Sequence, residues 1–322
     1  MSTDTVSRLS DMLEEGLMRL KNSDDFKKYL TCMSRFHNYS YNNTLLIMMQ
    51  MPKATYVAGF KSWKNNFDRN VKKGEKGIRI FAPAPVKKTL EVNKYDEEGN
   101  VTKELKQITV PMFKPVTVFD VTQTEGKPIP ELIKGELTNN VCRYEDIIDA
   151  IKSQTDIPII EKSIEGGVKG YFDPNDQTIY INSGMSQSQT VKTMIHELAH
   201  SILHNKNIQT DEKKDRNKRE IEAESVAFIV CKHFNIDTDD YSFGYILGWS
   251  KDSSLDEFRD SLETIQKCAD KIIVNMQARL LKLEWEKKSL KSRLDEGRKR
   301  SALLGNNIKR EKIHERNHTF QH

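Results

Sequence analysis

The chain has 322 residues, 37% of them hydrophobic and 30% charged, with a formal net charge of +4. That is length enough for two ordinary cores, and it lacks a run of about 18 apolar residues or a signal-peptide core, so a cytoplasmic protein with no membrane partner is expected. Cys32, Cys142, Cys231 and Cys268 form no CxxC pair, which argues against a disulfide framework or a cysteine zinc site and leaves buried thiols. The net charge conceals a segregation: residues 1–52 balance, 53–115 carry +7, 116–270 carry −11 and 271–322 carry +8. Different parts of the chain should therefore meet different partners.

Leu9, Met12, Leu13, Leu17 and Leu20 recur at helical spacing over residues 6–20, and a second helix is expected after a Ser23-Asp24 cap, burying Phe26, Tyr29, Leu30 and Met33. A third, Thr44–Gln50, would be capped by Asn42 or Asn43 and end at Pro52. Short β segments with a Lys-Gly turn should fill residues 54–83. Two long strands between Val86 and Phe119 should flank the turn at 96–100 as a basic hairpin.

Here cations alternate with rings. Arg35, Lys61, Lys64, Lys72, Lys73 and Lys76 accompany Tyr39, Tyr41, Phe60, Trp63 and Phe67, with Asn42 and Asn43 between. A surface for single-stranded nucleic acid needs cations for phosphates and rings for unpaired bases. Rings that fill a core beneath a lysine-solvated β surface would give the same composition.

The run SRFHNYSYNNTLLIMMQMPKATYVAGFKSWKNNFDRNVKKGEKGIRIFAPAP, with the later Val118-Phe119-Asp120-Val121 and Gln123-Thr124, resembles the N-terminal single-stranded-DNA-binding domain of ArdC-type antirestriction proteins. The likeness covers about the first 125 residues and lies in the order Asn-Asn, Gln-x-Pro, Gly-Phe-x-x-Trp and Lys-Lys-Gly-Glu-Lys-Gly. It implies a protein of a conjugative plasmid or related mobile element that joins this DNA-binding domain to a zinc metallopeptidase-like domain. By the same resemblance, Arg35, Tyr39, Tyr41, Asn42, Asn43, Lys61, Trp63, Lys64, Lys72, Lys73 and Lys76 are the expected DNA contacts.

Residues 126–140, with Pro128 and Pro130, read as a linker. A helix over 144–154 with Ile147, Ile148 and Ile151 inward, a strand from Pro158 and a hairpin over 170–182 lead to Met194-Ile195-His196-Glu197-Leu198-Ala199-His200. At about 100° per residue, Val191, Met194, Ile195, Leu198 and Ile202 form one apolar arc, and His196 and His200 share the opposite side. Two histidines four apart on a helix can bind one Zn²⁺, and Glu197 between them can act as general base toward water activated by that ion.

A third ligand must complete the set. Position 206, where an extended three-histidine motif would place one, is Lys206. His204 reads as a helix-end residue or a support for the ligands. Downstream, Glu220 and Glu224 share a helix face, whereas Glu222 is turned away from it. This segment resembles gluzincins and ImmA/IrrE-like peptidases. The resemblance implies Glu220 as ligand and Glu224 as the group that orients a histidine, with Glu224 as ligand the alternative. It also implies a zincin arrangement, in which the strand before the helix lies along the cleft.

A helix at 241–250, another at 255–273 and a basic helical tail from Lys282 should close the chain; the tail can be a solvated extension, a coiled-coil contact or further DNA surface. The expected fold class is thus α+β. Residues 1–126 form a mixed α/β single-stranded-DNA-binding domain, 127–140 a linker, 141–275 a zincin-like metallopeptidase domain of gluzincin type, and 276–322 a basic helical or disordered tail. The leading function is an antirestriction-type protein with single-stranded DNA and a protein substrate as partners. The alternatives are a regulatory ImmA/IrrE-like protease cleaving a repressor and a non-catalytic DNA-binding protein with structural zinc.

Overall fold

The computed structural model describes residues 3–95, 101–129, 144–205, 216–236 and 254–318. Three helices open the chain: α1 (Thr3–Leu20), α2 (Ser23–Arg35) and α3 (Tyr41–Gln50). Leu9, Leu17 and Leu20 of α1 are buried, as are Phe26, Tyr29, Leu30 and Met33 of α2. The caps differ from the expected ones. Asn22 accepts from the Asp24 N–H to start α2, and Ser40 accepts from the Asn43 N–H to start α3. Several residues able to cap lie within two positions of each start, and propensity does not choose among them.

Asn43 lies inside α3, and its side chain serves a strand. Its amide donates to the Phe81 carbonyl at 2.8 Å and accepts from the Phe81 N–H at 2.9 Å. Gln50 does the same with Arg79. Both targets lie on β3 (Ile78–Pro83), an edge strand of the antiparallel sheet β1-β6-β3, with β1 at Val57–Gly59 and β6 at Phe113–Asp120. Side-chain amides of a packed helix thus occupy edge groups that would otherwise face solvent or another chain.

Between β1 and β3 the expected strands are replaced in part by a helix, α4 (Phe60–Phe67), which ends on Asp68 in the left-handed region. After it, β2 (Arg69–Val71) pairs with β7 (Thr124–Gly126), and β4 (Val86–Tyr95) pairs with β5 (Val101–Val110) as a two-stranded antiparallel ribbon. The stretch expected to form the second hairpin strand is two strands, β5 and β6, with Pro111 between them. A proline has no N–H to give a ladder. Buried Asp120 ties the sheet to its neighbours by accepting from the N–H groups of Thr55, Tyr56 and Thr122, while Gln123 reaches the Lys76 carbonyl and Glu75.

Backbone contacts divide the chain into two units, residues 1–141 with 157–273 and residues 142–156 with 274–322. The first unit also holds β8 (Ile159–Lys162), β9 (Gly170–Asp173) and β10 (Thr178–Asn182), in sheet order β8-β10-β9 with β8 parallel and β9 antiparallel to β10. Helices α6 (Gln187–Leu203) and α7 (Arg216–His233) pack on one another, and α7 also packs on α2. A helix covered on two sides needs apolar residues nearly all round, which explains the buried run from Val226 to Cys231. A last helix, α8 (Leu255–His318), is continuous where two segments were expected. Its first part belongs to this unit: Phe258 meets Phe26 at 6.4 Å, and Asp270 lies 2.7 Å from His37 Nδ1. The N-terminal helices therefore share one core with the helices that carry the histidine motif.

In the second unit, α5 (Tyr144–Lys152) buries Ile147, Ala150 and Ile151, and ion pairs bind it to the later part of α8 through Asp149–Arg279 and Asp146–Lys287. The guanidinium of Arg279 holds the Asp149 carboxyl below the usual range. The expected turn at 96–100, most of the linker, Cys142 and the expected helix at 241–250 lie outside the described residues. Cys32, Cys231 and Cys268 are buried, and burial pushes the thiol of Cys32 up to about 11 and that of Cys268 to about 12. No described helix is long and apolar enough to cross a membrane.

Candidate metal centre

Helix α6 is capped by Ser186, whose hydroxyl accepts from the Gln189 N–H. Its apolar arc is buried at Val191, Met194, Ile195 and Leu198, which turns His196 and His200 toward α7. Strand β9 comes close to the same helix because residue 170 is glycine. A Cβ there would stand 2.7 Å from Thr193 Cγ2 and 2.8 Å from the Tyr180 carbonyl oxygen. That approach sets the Phe172 backbone of β9 beside Glu197, where it favours the charged carboxylate.

Three possible ligand atoms converge. His196 Nε2 is 3.0 Å from His200 Nε2, and Glu220 Oε2 is 3.6 Å from each. Tetrahedral N and O ligands about 2.0–2.2 Å from an ion stand roughly 3.3 Å apart, so this triangle has the size of a metal coordination face. These residues are the metal-capable group among the described residues. Glu224 Oε2 lies 3.1 Å from His196 Nδ1, although Nδ1 lacks a well-aligned hydrogen bond.

The electrostatics agree with a site built for positive charge. Burial works against a charged His196, but Glu220, Glu224 and Glu197 outweigh it and raise the imidazolium to about 10. The two histidines hold Glu220 well below the usual carboxylate range. His200 is lowered, by burial first. Glu197 goes the other way: burial raises it to about 7, against the opposing pull of His196 and the Phe172 backbone. A base that titrates near neutrality can both take and return a proton.

Sequence reasoning set Glu222 aside, yet it is fully buried and bonds His204 and Ser261. Its direction away from Glu220 and Glu224 is as expected, but that direction leads into the protein because α8 packs there. No local pattern announces this, since Ser261 is distant in sequence.

The expected DNA contacts separate into two groups. Lys61, Lys64, Lys72, Lys73 and Lys76 are exposed, although Lys72 also donates to the Thr122 carbonyl. Arg35, Tyr39, Tyr41 and Asn42 are half-buried: Arg35 donates to the Pro52 carbonyl and Tyr39 to that of Val57. Trp63 corrects the expectation of a stacking ring. It is 0% exposed, packs against Tyr56 and Phe67, and donates its indole N–H to the Phe119 carbonyl, so no face is open to a base. Asn43 is likewise committed to Phe81. The ring that α4 presents outward is Phe60, 57% exposed.

Residues 4–119 match the family model described as the N-terminal domain of anti-restriction factor ArdC, and residues 153–242 match the IrrE N-terminal-like domain of the M78 peptidase models. An uncharacterized protein of Bacillus anthracis is 26% identical over 318 residues, covering 88% of this chain; the chain spans about half that relative's length, 53%. The Mn(II)-bound crystal structure of antirestriction ArdC protein from R388 plasmid is 18% identical with a TM-score of 0.52, over 82% of this chain and 98% of that one. Its metal-free counterpart is 22% identical with a TM-score of 0.45, over 73% and 84%. The expected fold class thus holds, a mixture of helices and strands with a zincin-like second part. The chain thus carries a segment that matches the ArdC N-terminal domain followed by one that matches the IrrE N-terminal-like domain.

Proposed function

We propose that this chain is a cytoplasmic protein of a mobile element that binds single-stranded DNA through its N-terminal module and hydrolyses peptide bonds at a divalent-metal centre, protecting incoming DNA from restriction. The observation that carries the peptidase half is the convergence of His196 Nε2, His200 Nε2 and Glu220 Oε2 beside a buried carboxylate, Glu197. Two imidazoles and one carboxylate suit zinc; the crystal structure of ArdC from R388 plasmid is Mn(II)-bound, which makes manganese the competitor to measure.

A divalent cation held by these three side chains would supply Lewis acidity toward a peptide carbonyl. Glu197 takes a proton from the water that attacks the carbonyl carbon and returns it to the amine nitrogen as the C–N bond breaks. Its pKa near 7 suits both transfers. The outer edge of β9, beside Glu197, offers backbone groups to which an extended peptide can add as a strand. On the DNA side, the exposed lysines of α4 and of the turn before β3 supply cations, and Phe60 supplies a ring.

The test is Glu197→Gln in the full chain. It should keep metal uptake and single-strand binding while cleavage of a protein substrate falls by about 10²–10⁴-fold. Cleavage at the unaltered rate would refute the mechanism. Full DNA protection by this variant would separate protection from proteolysis and leave a binding role for the centre.

A further inference from the structure

Helix α8 carries apolar residues on two opposite sides between positions 274 and 285. On one side Met276 and Leu280 are buried and Leu283 is half-buried, and the ion pairs of Arg279 with Asp149 and of Lys287 with Asp146 place α5 there. On the other side Val274, Leu281 and Trp285 are 48%, 46% and 71% exposed, with Ala278 exposed between them. At about 100° per residue these four side chains fall within about 60° of arc and run for about 17 Å along the axis. Their spacing of four, three and four residues is that of a coiled-coil seam.

A helix covered on one side needs one apolar stripe, and its other side is ordinarily polar. Single exposed apolar residues need no explanation, but four in a row at seam spacing make a surface for another helix. Charge selects the occupant. Lys282 borders the stripe on one flank and Lys288 closes its C-terminal end; Glu284, the carboxylate beside Lys288, is 2.6 Å from it and paired with it. A second copy of the chain fits poorly. Parallel pairing in register would set Trp285 on Trp285 and Lys288 on Lys288. The antiparallel pairing that sets Trp285 against Val274 would set Lys288 against Lys271 of the other copy. Like charges at such positions oppose association.

We propose that this face of α8 docks an acidic amphipathic helix of another protein, with an apolar seam against Val274, Ala278, Leu281 and Trp285 and carboxylates toward Lys282 and Lys288. Trp285 is the anchor, being the largest and most exposed side chain of the stripe. The inference needs neither the metal centre nor the DNA surface.

The probe is a labelled three-heptad helical peptide with Leu at the seam positions and Glu at the flanking ones; uniform Glu flanks keep it from pairing with itself. Fluorescence anisotropy with the full chain should show saturable binding that weakens as salt is added. The same peptide with Lys flanks should bind at least about tenfold less tightly, and Trp285→Ala should weaken the Glu peptide about 30-fold. Lys282→Glu and Lys288→Glu together should exchange the preference between the two peptides. All three substituted side chains are exposed, so circular dichroism should show the fold retained. Absent binding, equal binding of both peptides, or full binding by Trp285→Ala would overturn the proposal. So would a dimer in sedimentation equilibrium that Leu281→Asp dissolves, which would make the occupant a second copy. A loss of single-strand DNA affinity of about tenfold in Trp285→Ala would overturn it too, by making the occupant nucleic acid.

Discussion

The N-terminal module and the metal centre use their polar side chains in opposite ways. In the module, Asn43, Gln50, Trp63, Asp120 and Gln123 all end on backbone groups of neighbouring strands and turns. At the centre, His196, His200 and Glu220 end on one another, with three possible ligand atoms close together. The difference teaches how to read a family motif. Where motif side chains close on backbone, their identity is explained by folding; where two imidazoles and a carboxylate converge on one another, they have the make-up of a cation site. DNA contacts in the module should then be sought among residues its hydrogen bonds leave outside, such as Phe60, Lys61, Lys64, Lys73 and Lys76.

Trp63→Ala should give the largest effect on the module's side of this comparison. Removing a fully buried indole leaves a cavity, costing about 3–5 kcal/mol of stability. Chemical denaturation followed by circular dichroism measures it. A nearly unchanged midpoint with weakened DNA binding would restore Trp63 as a stacking ring.

A second effect lies where the two regions join. His233 of α7 donates from Nδ1 to the Ser34 carbonyl of α2, and burial lowers its pKa to about 4. The folded state thus prefers neutral His233, whereas the unfolded chain protonates it near its ordinary 6.5. Stability from this residue is complete above pH about 6.5 and is lost as pH falls toward about 4, on the order of 3 kcal/mol. His233→Asn, which keeps a donor near the Nδ1 position, should flatten the stability profile across that window. An unchanged profile would assign the acid sensitivity to other groups.

The smallest effect should come from Phe60→Ala. Its ring is more than half exposed, so stability should change by no more than about 0.5 kcal/mol, while single-strand affinity weakens by about 1–3 kcal/mol. Fluorescence anisotropy with a labelled oligonucleotide at several salt concentrations measures this. Equal affinity for duplex and single strand would remove the support for a single-strand surface.

How much of this was legible in the sequence follows from the range of the interactions. His196 and His200 could be placed because an i, i+4 pair shares a helix face whatever packs around it. Glu220 and Glu224 followed by the same rule together with the family likeness. Glu222 was missed because its value depends on α8 covering the far side of α7. Trp63 was misread because its direction depends on β6, about 50 residues later in the chain. Asn43 and Asn42 looked like caps since Asn suits that position, but the capping oxygen came from Ser40, and Asn43 was needed across space at β3. The order of the three helices and the hairpin at 170–182 was readable from local periodicity and turn residues. The α4 helix was not, since a stretch of eight residues carries too little periodicity; the break between β5 and β6 was marked by Pro111 but read through.

The proposed chemistry requires that His196, His200 and Glu220 hold a divalent cation. Isothermal titration of the metal-free full chain with zinc, in parallel with His200→Ala and Glu220→Ala, tests it directly. The expected result is one tight site per chain, with either substitution weakening it by more than the roughly 10–100-fold typical of a merely supporting group. Zinc binding that is absent, or that is unaltered by both substitutions, would contradict it.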